Sequence, residues 1–115
     1  MYKIYLIFAN TEGIGQWKIG ITTDIDKRLQ ILKVGNPNIV GVESTYEIYE
    51  RDVAYKVENL IKRELKQYRV KGEWFSHDCL NAEIFKHLCE KNKENANILI
   101  QIQNNINNHK NNFYH

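Results

Sequence analysis

Four side chains of this sequence could together hydrolyse a phosphodiester bond: Tyr5, Lys18, Arg28 and Glu73. The reaction needs an activated water, positive charge beside the phosphate oxygens and help for the leaving oxygen. A phenol, whose ordinary pKa is about 10, is a poor base at neutral pH, but a neighbouring ammonium favours the phenolate. We therefore expect Lys18 to lower the pKa of Tyr5 and to make it a general base.

The other two side chains suit a phosphate and a metal ion. The planar guanidinium of Arg28 matches two phosphate oxygens. Glu73 is a lone carboxylate, and Mg²⁺ or Mn²⁺ can bind through one protein carboxylate together with waters and substrate oxygens. A single carboxylate argues against a mechanism with two metal ions.

Two strands are predicted to position Tyr5 and Lys18. Side chains alternate in character over residues 2–8 and again over residues 17–22, which is typical of strands. The Asn, Thr and Gly residues between these segments favour a turn, so the two strands form an antiparallel hairpin.

The register of this hairpin decides which residues are neighbours. With a loop at residues 11–14, Tyr5 lies opposite Gly20, and Ile7 lies opposite Lys18. Tyr5 and Lys18 are then diagonal neighbours on the less apolar face of the hairpin. Gly20 has no side chain, so we expect space beside the tyrosine ring in which a phosphate can enter.

A helix is predicted to begin at Thr23, because Asp26 follows three residues later. Arg28 borders the apolar stripe of this helix and is expected to lean toward the sheet. The stripe consists of Ile25, Leu29 and Leu32. An alternative is that Arg28 only pairs with Asp24, which stabilises a helix by roughly a few tenths of a kcal/mol.

The rest of the chain predicts a third strand and further helices. Residues 39–48 are β-branched and partly alternating, and residues 50–68 have the apolar spacing of a long helix. Residues 69–75 form a short extended segment, and residues 80–89 another amphipathic helix. The expected fold class is α/β, more narrowly α+β, with a small antiparallel sheet of about three strands flanked by helices.

The composition changes near the C-terminal end. We expect one folded domain over residues 1–92, followed by an Asn-rich helix and tail over residues 93–115. Asparagine is a poor helix former, but Ile98, Ile102 and Ile106 fit one helical face. We therefore expect a frayed last helix that packs back on the domain.

The charge of the chain is only mildly basic, with a formal net charge of +2 and a pI near 8.5. A nucleic-acid surface must therefore come from local clustering of basic residues. One such cluster lies between residues 56 and 71, and it is either a solvated helix face or a phosphate-facing one. Its members are Lys56, Lys62, Arg63, Lys66, Arg69 and Lys71.

The sequence predicts an intracellular protein, cytoplasmic or nuclear, with no membrane partner. We find no signal peptide and no segment that approaches a membrane span. The two cysteines, in a chain without a secretory signal, indicate reduced thiols.

Two stretches of the chain resemble the GIY-YIG nuclease superfamily, and more closely its compact branch in phage and large-virus proteins. Trp17 to Leu29 contains Lys-Ile-Gly, Thr-Thr-Asp and Lys-Arg-Leu, and Tyr68 to Phe75 reads Tyr-Arg-Val-Lys-Gly-Glu-Trp-Phe. The likeness covers about residues 2–76. It implies an endonuclease that cuts DNA with one Mg²⁺ or Mn²⁺ ion, with RNA not excluded as a substrate.

The resemblance also implies roles for individual residues. Tyr5 matches the tyrosine of the first motif, Gly20 the glycine of the second, Arg28 the helix arginine, and Glu73 the metal-binding glutamate. Lys18 takes the place of the second-motif tyrosine, and a lysine there is compatible with the branch. A second departure is Lys3, where the first motif has glycine. The residues expected to contact substrate are Gly20, Lys27, Arg69 and Lys71.

Two other functions stay open at this level. In the first, the chain is a DNA-binding module of the same fold that no longer cuts, with Lys18 in place of tyrosine marking the loss of catalysis. In the second, it is a protein-interaction domain whose isoleucine-rich tail makes the contacts. The sequence also contains two His-x-Cys pairs that could bind zinc, although their spacing fits no common zinc module. They are His77 with Cys79 and His87 with Cys89.

Overall fold

The computed structural model describes the backbone of residues 1–113 and the side chains of residues 1–109. Five strands form one antiparallel sheet, and three α-helices and two short 3₁₀ turns complete the fold. In chain order the elements are β1 (Tyr2–Thr11), β2 (Ile14–Thr22), α1 (Ile25–Gly35), β3 (Ile39–Ile48), α2 (Arg51–Glu64), a 3₁₀ turn (Lys66–Tyr68), β4 (Arg69–Lys71), β5 (Trp74–Ser76), a second 3₁₀ turn (His77–Cys79) and α3 (Ala82–Phe113).

The hairpin of β1 and β2 has the predicted register. Tyr5 pairs with Gly20, and Ile7 pairs with Lys18. The connecting loop is shorter than expected: it consists of two residues with positive φ angles, Glu12 at 54° and Gly13 at 83°. Two such residues form the tight turn whose twist matches that of the strands it joins.

The predicted fold class is confirmed, but the predicted number of strands is wrong. The sheet has five strands in the order β3-β1-β2-β5-β4. The segment predicted as merely extended folds into β4 and β5, each three residues long, which pair across Gly72 and Glu73. Strands this short carry too few residues to show a period of two, so pattern alone does not reveal them.

The two faces of the sheet are covered by different helices. Ile4, Leu6 and Ile19 point into the large core beneath α2 and α3. Tyr5 and Ile7, which alternate with them on β1, point to the opposite face and pack with the apolar side of α1. We call the second surface the α1 face, and the sequence-predicted catalytic residues of β1 and β2 lie on it.

The C-terminal part of the chain is one long helix. α3 runs as one helix over Ala82–Phe113, so it continues across the predicted boundary between residues 92 and 93. Ala96 is buried and packs in the main core, whereas Ile98, Ile102 and Ile106 are 50%, 49% and 45% exposed. The last helix therefore packs back on the domain through Ala96 and Ile100, while the face of Ile98, Ile102 and Ile106 stays about half exposed. The end of the predicted tail, residues 114 and 115, lies outside the described residues.

Candidate active site

The site is centred on the contact between Tyr5 and Gly20 on the α1 face. Tyr5 is 2% exposed, and a Cβ atom built on Gly20 would lie 2.1 Å from the Tyr5 hydroxyl oxygen. The phenol itself thus fills the space that we assigned to a phosphate, and this part of the prediction is wrong. The reason is burial, since an aromatic ring on a covered sheet face packs into the nearest gap.

Lys18 joins this face to Glu73. Lys18 Nζ donates a hydrogen bond of 2.8 Å to Glu73 Oε2, and it also lies 5.4 Å from the centre of the Trp74 ring. The pairing of β2 with β5 places Lys18 directly opposite Trp74, the residue after Glu73. The Lys18 side chain is only 12% exposed, so this ion pair is more shielded from water than an ordinary surface pair.

A second lysine holds the same carboxylate, and the sequence reasoning did not assign it a role. Lys62 Nζ donates a hydrogen bond of 2.9 Å to Glu73 Oε1 and forms an ion pair of 3.1 Å with Glu58. Glu58 and Lys62 lie one helical turn apart on α2, next to the buried residues Val57 and Ile61. That position beside a buried stripe is the signal that could have identified them.

The predicted lowering of the Tyr5 pKa by Lys18 is wrong. Burial raises the pKa of Tyr5, the Arg28 charge lowers it in part, and the Glu73 and Glu58 charges raise it, to about 12. The ammonium of Lys18 is bound to Glu73 and does not enter this balance. The charges of Arg28 and Glu73, two of the predicted catalytic residues, nevertheless both change the pKa of Tyr5, and so does the charge of Glu58.

Glu73 carries a stable negative charge. Partial burial alone raises the pKa of its carboxyl, but hydrogen bonds from Lys18 and Lys62 outweigh burial and lower it to about 2. Each oxygen accepts one lysine hydrogen bond, which leaves a further lone pair on each. A half-exposed anionic carboxylate with free lone pairs fits Mg²⁺ or Mn²⁺ as a single protein ligand. Among the described residues, no three His, Cys, Asp or Glu side chains group into a larger metal site.

Comparison with known families decides the relationship of the chain. A family model described as the T5orf172 domain matches residues 3–94, which is most of the sequence. The chain belongs to the T5orf172 domain family. This family lies in the GIY-YIG and homing-endonuclease-like group, which agrees with the resemblance at the level of the group. No curated protein and no solved structure matches the chain.

In this T5orf172 domain a groove with two basic side chains lies at the start of α1. Arg28 and Lys27 line it together with residues 22–24 at the start of α1, and its volume is about 410 Å³. Asp24 caps the helix by accepting a hydrogen bond of 3.1 Å from the backbone N–H of Lys27, so the helix begins at Ile25, two residues after the predicted start at Thr23. No ion pair joins Asp24 to Arg28 among the described side chains, and the Arg28 guanidinium is exposed.

Four further residues of the predicted basic cluster lie on two surfaces. Arg69 and Lys71 are exposed on β4, the strand at the edge of the sheet. Arg63 and Lys66 line a separate groove with Glu64 and Gln67. Lys62 differs from these four because both of its carboxylate partners hold it within the site.

Cys89, Cys79 and the backbone of His77 contribute to the packing and hydrogen bonding of the fold. Cys89 is fully buried in the main core, where burial raises the pKa of its thiol to about 12 and so opposes the thiolate that zinc requires. Cys79 donates a hydrogen bond to the backbone oxygen of Ser76, and the backbone oxygen of His77 accepts one from Trp17 Nε1. Trp17 is 8% exposed and belongs to the core.

The family match indicates a nuclease-like or DNA-interacting module at a coarse level. None of the helices in the described part of the chain combines the length and apolar character needed to cross a bilayer.

Proposed function

We propose that this chain is a metal-dependent endonuclease that hydrolyses DNA phosphodiester bonds with one divalent ion. In this proposal Tyr5 is the general base, Lys18 assists it, Arg28 binds the phosphate and Glu73 holds Mg²⁺ or Mn²⁺. RNA is not excluded as a substrate. The observation that carries the proposal is that the Arg28 guanidinium and the lysine-bound Glu73 carboxylate both act on the Tyr5 phenol, in a chain of the T5orf172 domain family.

The phosphate would bind in the groove at the start of α1. Arg28 and Lys27 bring two positive side chains to that groove, against the one carboxylate of Asp24 that caps the helix. Gly20 acts in this proposal through Tyr5, because its lack of a side chain allows the phenol to lie over the strand. Arg69 and Lys71 on the sheet edge would contact more distant phosphates and carry no sequence information.

Tyr5 can act as a base at neutral pH only if its pKa falls. A phenol with a pKa of about 12 is protonated at neutral pH, so its pKa must fall when DNA binds. Arg28 already lowers this pKa, and Lys18 is a diagonal neighbour of Tyr5 on the same sheet face. Release of Lys18 from Glu73 would add a second positive charge beside the phenol and favour its deprotonation.

The divalent ion would supply charge neutralisation on the phosphate oxygens and an acidified water. Glu73 is the residue of this chain that would hold it. All other catalytic work in the proposal belongs to the side chains of Tyr5, Lys18 and Arg28.

The proposal is tested by nicking of supercoiled plasmid in the presence of Mg²⁺ or Mn²⁺. We expect the wild type to nick the plasmid, and we expect Glu73→Ala, Tyr5→Phe and Arg28→Ala each to lower the rate by about a hundredfold or more. Glu47→Ala is the matched control, because Glu47 is an exposed carboxylate outside the site. Nicking by the wild type at the rate of Glu73→Ala rejects the proposal.

The pH dependence of cleavage tests the base. If Tyr5 must lose a proton, the rate should rise with pH across the neutral range, because the fraction of phenolate rises. Tyr5→Phe should remove this rise and leave the flat residual rate of the other groups. A wild-type rate that does not change between pH 6 and pH 9 would assign Tyr5 a structural role.

A second candidate is a DNA-binding module of the same fold that does not cut. Two observations favour it: the pKa of Tyr5 is raised to about 12, and Lys18 is occupied by Glu73. This candidate predicts DNA binding that weakens steeply with salt, with no metal-dependent nicking. The two functions are separated by running the plasmid assay and a salt titration of binding on the same preparation.

A further inference from the structure

We infer that Lys62 is a positioning residue that keeps the Glu73 carboxylate from binding a divalent ion until a phosphate is present. This inference rests on the proposed role of Glu73 as a metal ligand. It concerns a residue of α2 that neither the sequence motifs nor the family match assigns to the site.

The position of the Lys62 ammonium is fixed from two sides. It lies 2.9 Å from Glu73 Oε1 and 3.1 Å from Glu58 Oε1, and the Glu58 side chain is only 12% exposed. Glu58 lies one turn earlier on the same helix, α2. It therefore orients Lys62 independently of the β4–β5 turn that carries Glu73. Lys62 is therefore held in place by Glu58 even when the exposed Glu73 carboxylate moves.

The two lysines bind different oxygens of the Glu73 carboxylate. Lys18 binds Oε2 and Lys62 binds Oε1, so a metal ion approaching either oxygen meets an ammonium. An ion bound to Oε1 at its usual distance of about 2 Å would stand less than about 5 Å from the Lys62 nitrogen. At that separation two positive charges repel strongly unless a negative charge stands between them.

The charges of this cluster are balanced in the free protein. The carboxylates of Glu58 and Glu73 are matched by the ammonium groups of Lys18 and Lys62. A divalent ion would give this cluster two excess positive charges, and the single negative charge of each DNA phosphate would offset one of them. Metal binding and DNA binding should therefore strengthen each other, and this coupling must be the same in both directions.

Mn²⁺ binding to the free protein, followed by electron paramagnetic resonance of unbound Mn²⁺, tests this inference without any cleavage. We expect weak binding to the wild type and binding about tenfold tighter to Lys62→Met, because one competing ammonium is gone. Lys62→Arg keeps the charge and should bind as weakly as the wild type. Lys66→Met removes an exposed lysine from the neighbouring 3₁₀ turn and controls for the change in net charge.

The same measurement with DNA tests the coupling. A duplex with phosphorothioate linkages that resist cleavage should tighten Mn²⁺ binding to the wild type, and it should have a smaller effect on Lys62→Met. Adding Glu73→Gln to Lys62→Met should remove the gained Mn²⁺ site. Circular dichroism and thermal unfolding of each variant establish that it is folded.

Equal Mn²⁺ affinities of Lys62→Met and Lys66→Met overturn the inference, and so does the absence of Mn²⁺ binding to Lys62→Met. Failure of the proposed nuclease activity can be distinguished from failure of this inference. A wild type that does not nick DNA, together with the expected gain of Mn²⁺ affinity in Lys62→Met, rejects cleavage and supports the role of Lys62.

Discussion

The two faces of the sheet use alternate residues of the same strands for different purposes. Beneath α2 and α3, the face that includes Ile4, Leu6 and Ile19 belongs to a large apolar core. The α1 face has a smaller buried cluster, composed of Tyr5, Ile7, Ala9 and Ile39. One face therefore supplies most of the burial that stabilises the fold, and the other can carry charged side chains at its margin.

This difference explains why the charged cluster can exist in so small a protein. Lys18 lies on β2 between Trp17 and Ile19, which point into the main core, so its backbone is held by packing on the opposite face. Its own side chain turns to Glu73 and Trp74. A rigid strand thereby positions a polar group that contributes little to the core itself.

The largest expected effect comes from the main core. Phe85→Ala removes a fully buried ring and should lower the free energy of unfolding by about 3–5 kcal/mol. Leu32→Ala on α1 removes a half-buried side chain and should lower it by roughly 1–2 kcal/mol. Urea denaturation measures both, with the exposed Ile31→Ala on the same helix as the control. Equal losses for Phe85→Ala and Leu32→Ala would remove the proposed difference between the two faces.

A smaller effect is expected where Tyr5 lies over Gly20. Gly20→Ala places a methyl group 2.1 Å from the phenol oxygen, so the ring must move, at a cost of about 1–3 kcal/mol. In the background of Tyr5→Ala the same change should cost almost nothing, because the clash is gone. Gly41→Ala, where a Cβ meets nothing within 4 Å, is the control for urea denaturation. The same cost of Gly20→Ala with and without the Tyr5 ring would show that this contact is not what excludes a side chain.

The smallest effect concerns the Glu73 ion pairs and depends on pH. The pKa of Glu73 is lowered to about 2 in the folded protein, so its stabilising contribution is present above the unfolded pKa of 4.5 and is lost as the pH falls toward 2. Because the carboxylate is 53% exposed, we expect only about 1 kcal/mol after screening by water.

Comparison of Glu73→Gln with the wild type should therefore show a difference in unfolding free energy at pH 7 that shrinks between pH 4.5 and pH 2. Glu47→Gln serves as the control, since the Glu47 side chain is exposed and its ion pair with Lys3 is at 4.0 Å. A difference for Glu73→Gln that persists unchanged at pH 2 would mean that Lys18 and Lys62 do not stabilise the fold through this carboxylate.

Local patterns determined much of this structure from the sequence. The alternation over β1 and β2 predicted their register, because the side-chain period of a strand is two and a tight turn leaves few choices of pairing. The same pattern predicted that Tyr5, Gly20 and Lys18 lie on one face. The apolar spacing of α1 and of α2 predicted which sides of these helices pack, since helical neighbours are three and four residues apart.

Only the tertiary structure decided how the charges meet. The contact of Lys18 with Glu73 joins residues 55 positions apart, and it depends on the pairing of two three-residue strands that show no sequence period. The pairing of Lys62 with both carboxylates depends on how α2 packs. The pKa of Tyr5 followed burial in the fold rather than its neighbour in the pattern. Periodicity is a property of adjacent residues, whereas burial and the ends of long side chains are set by the packing of distant elements.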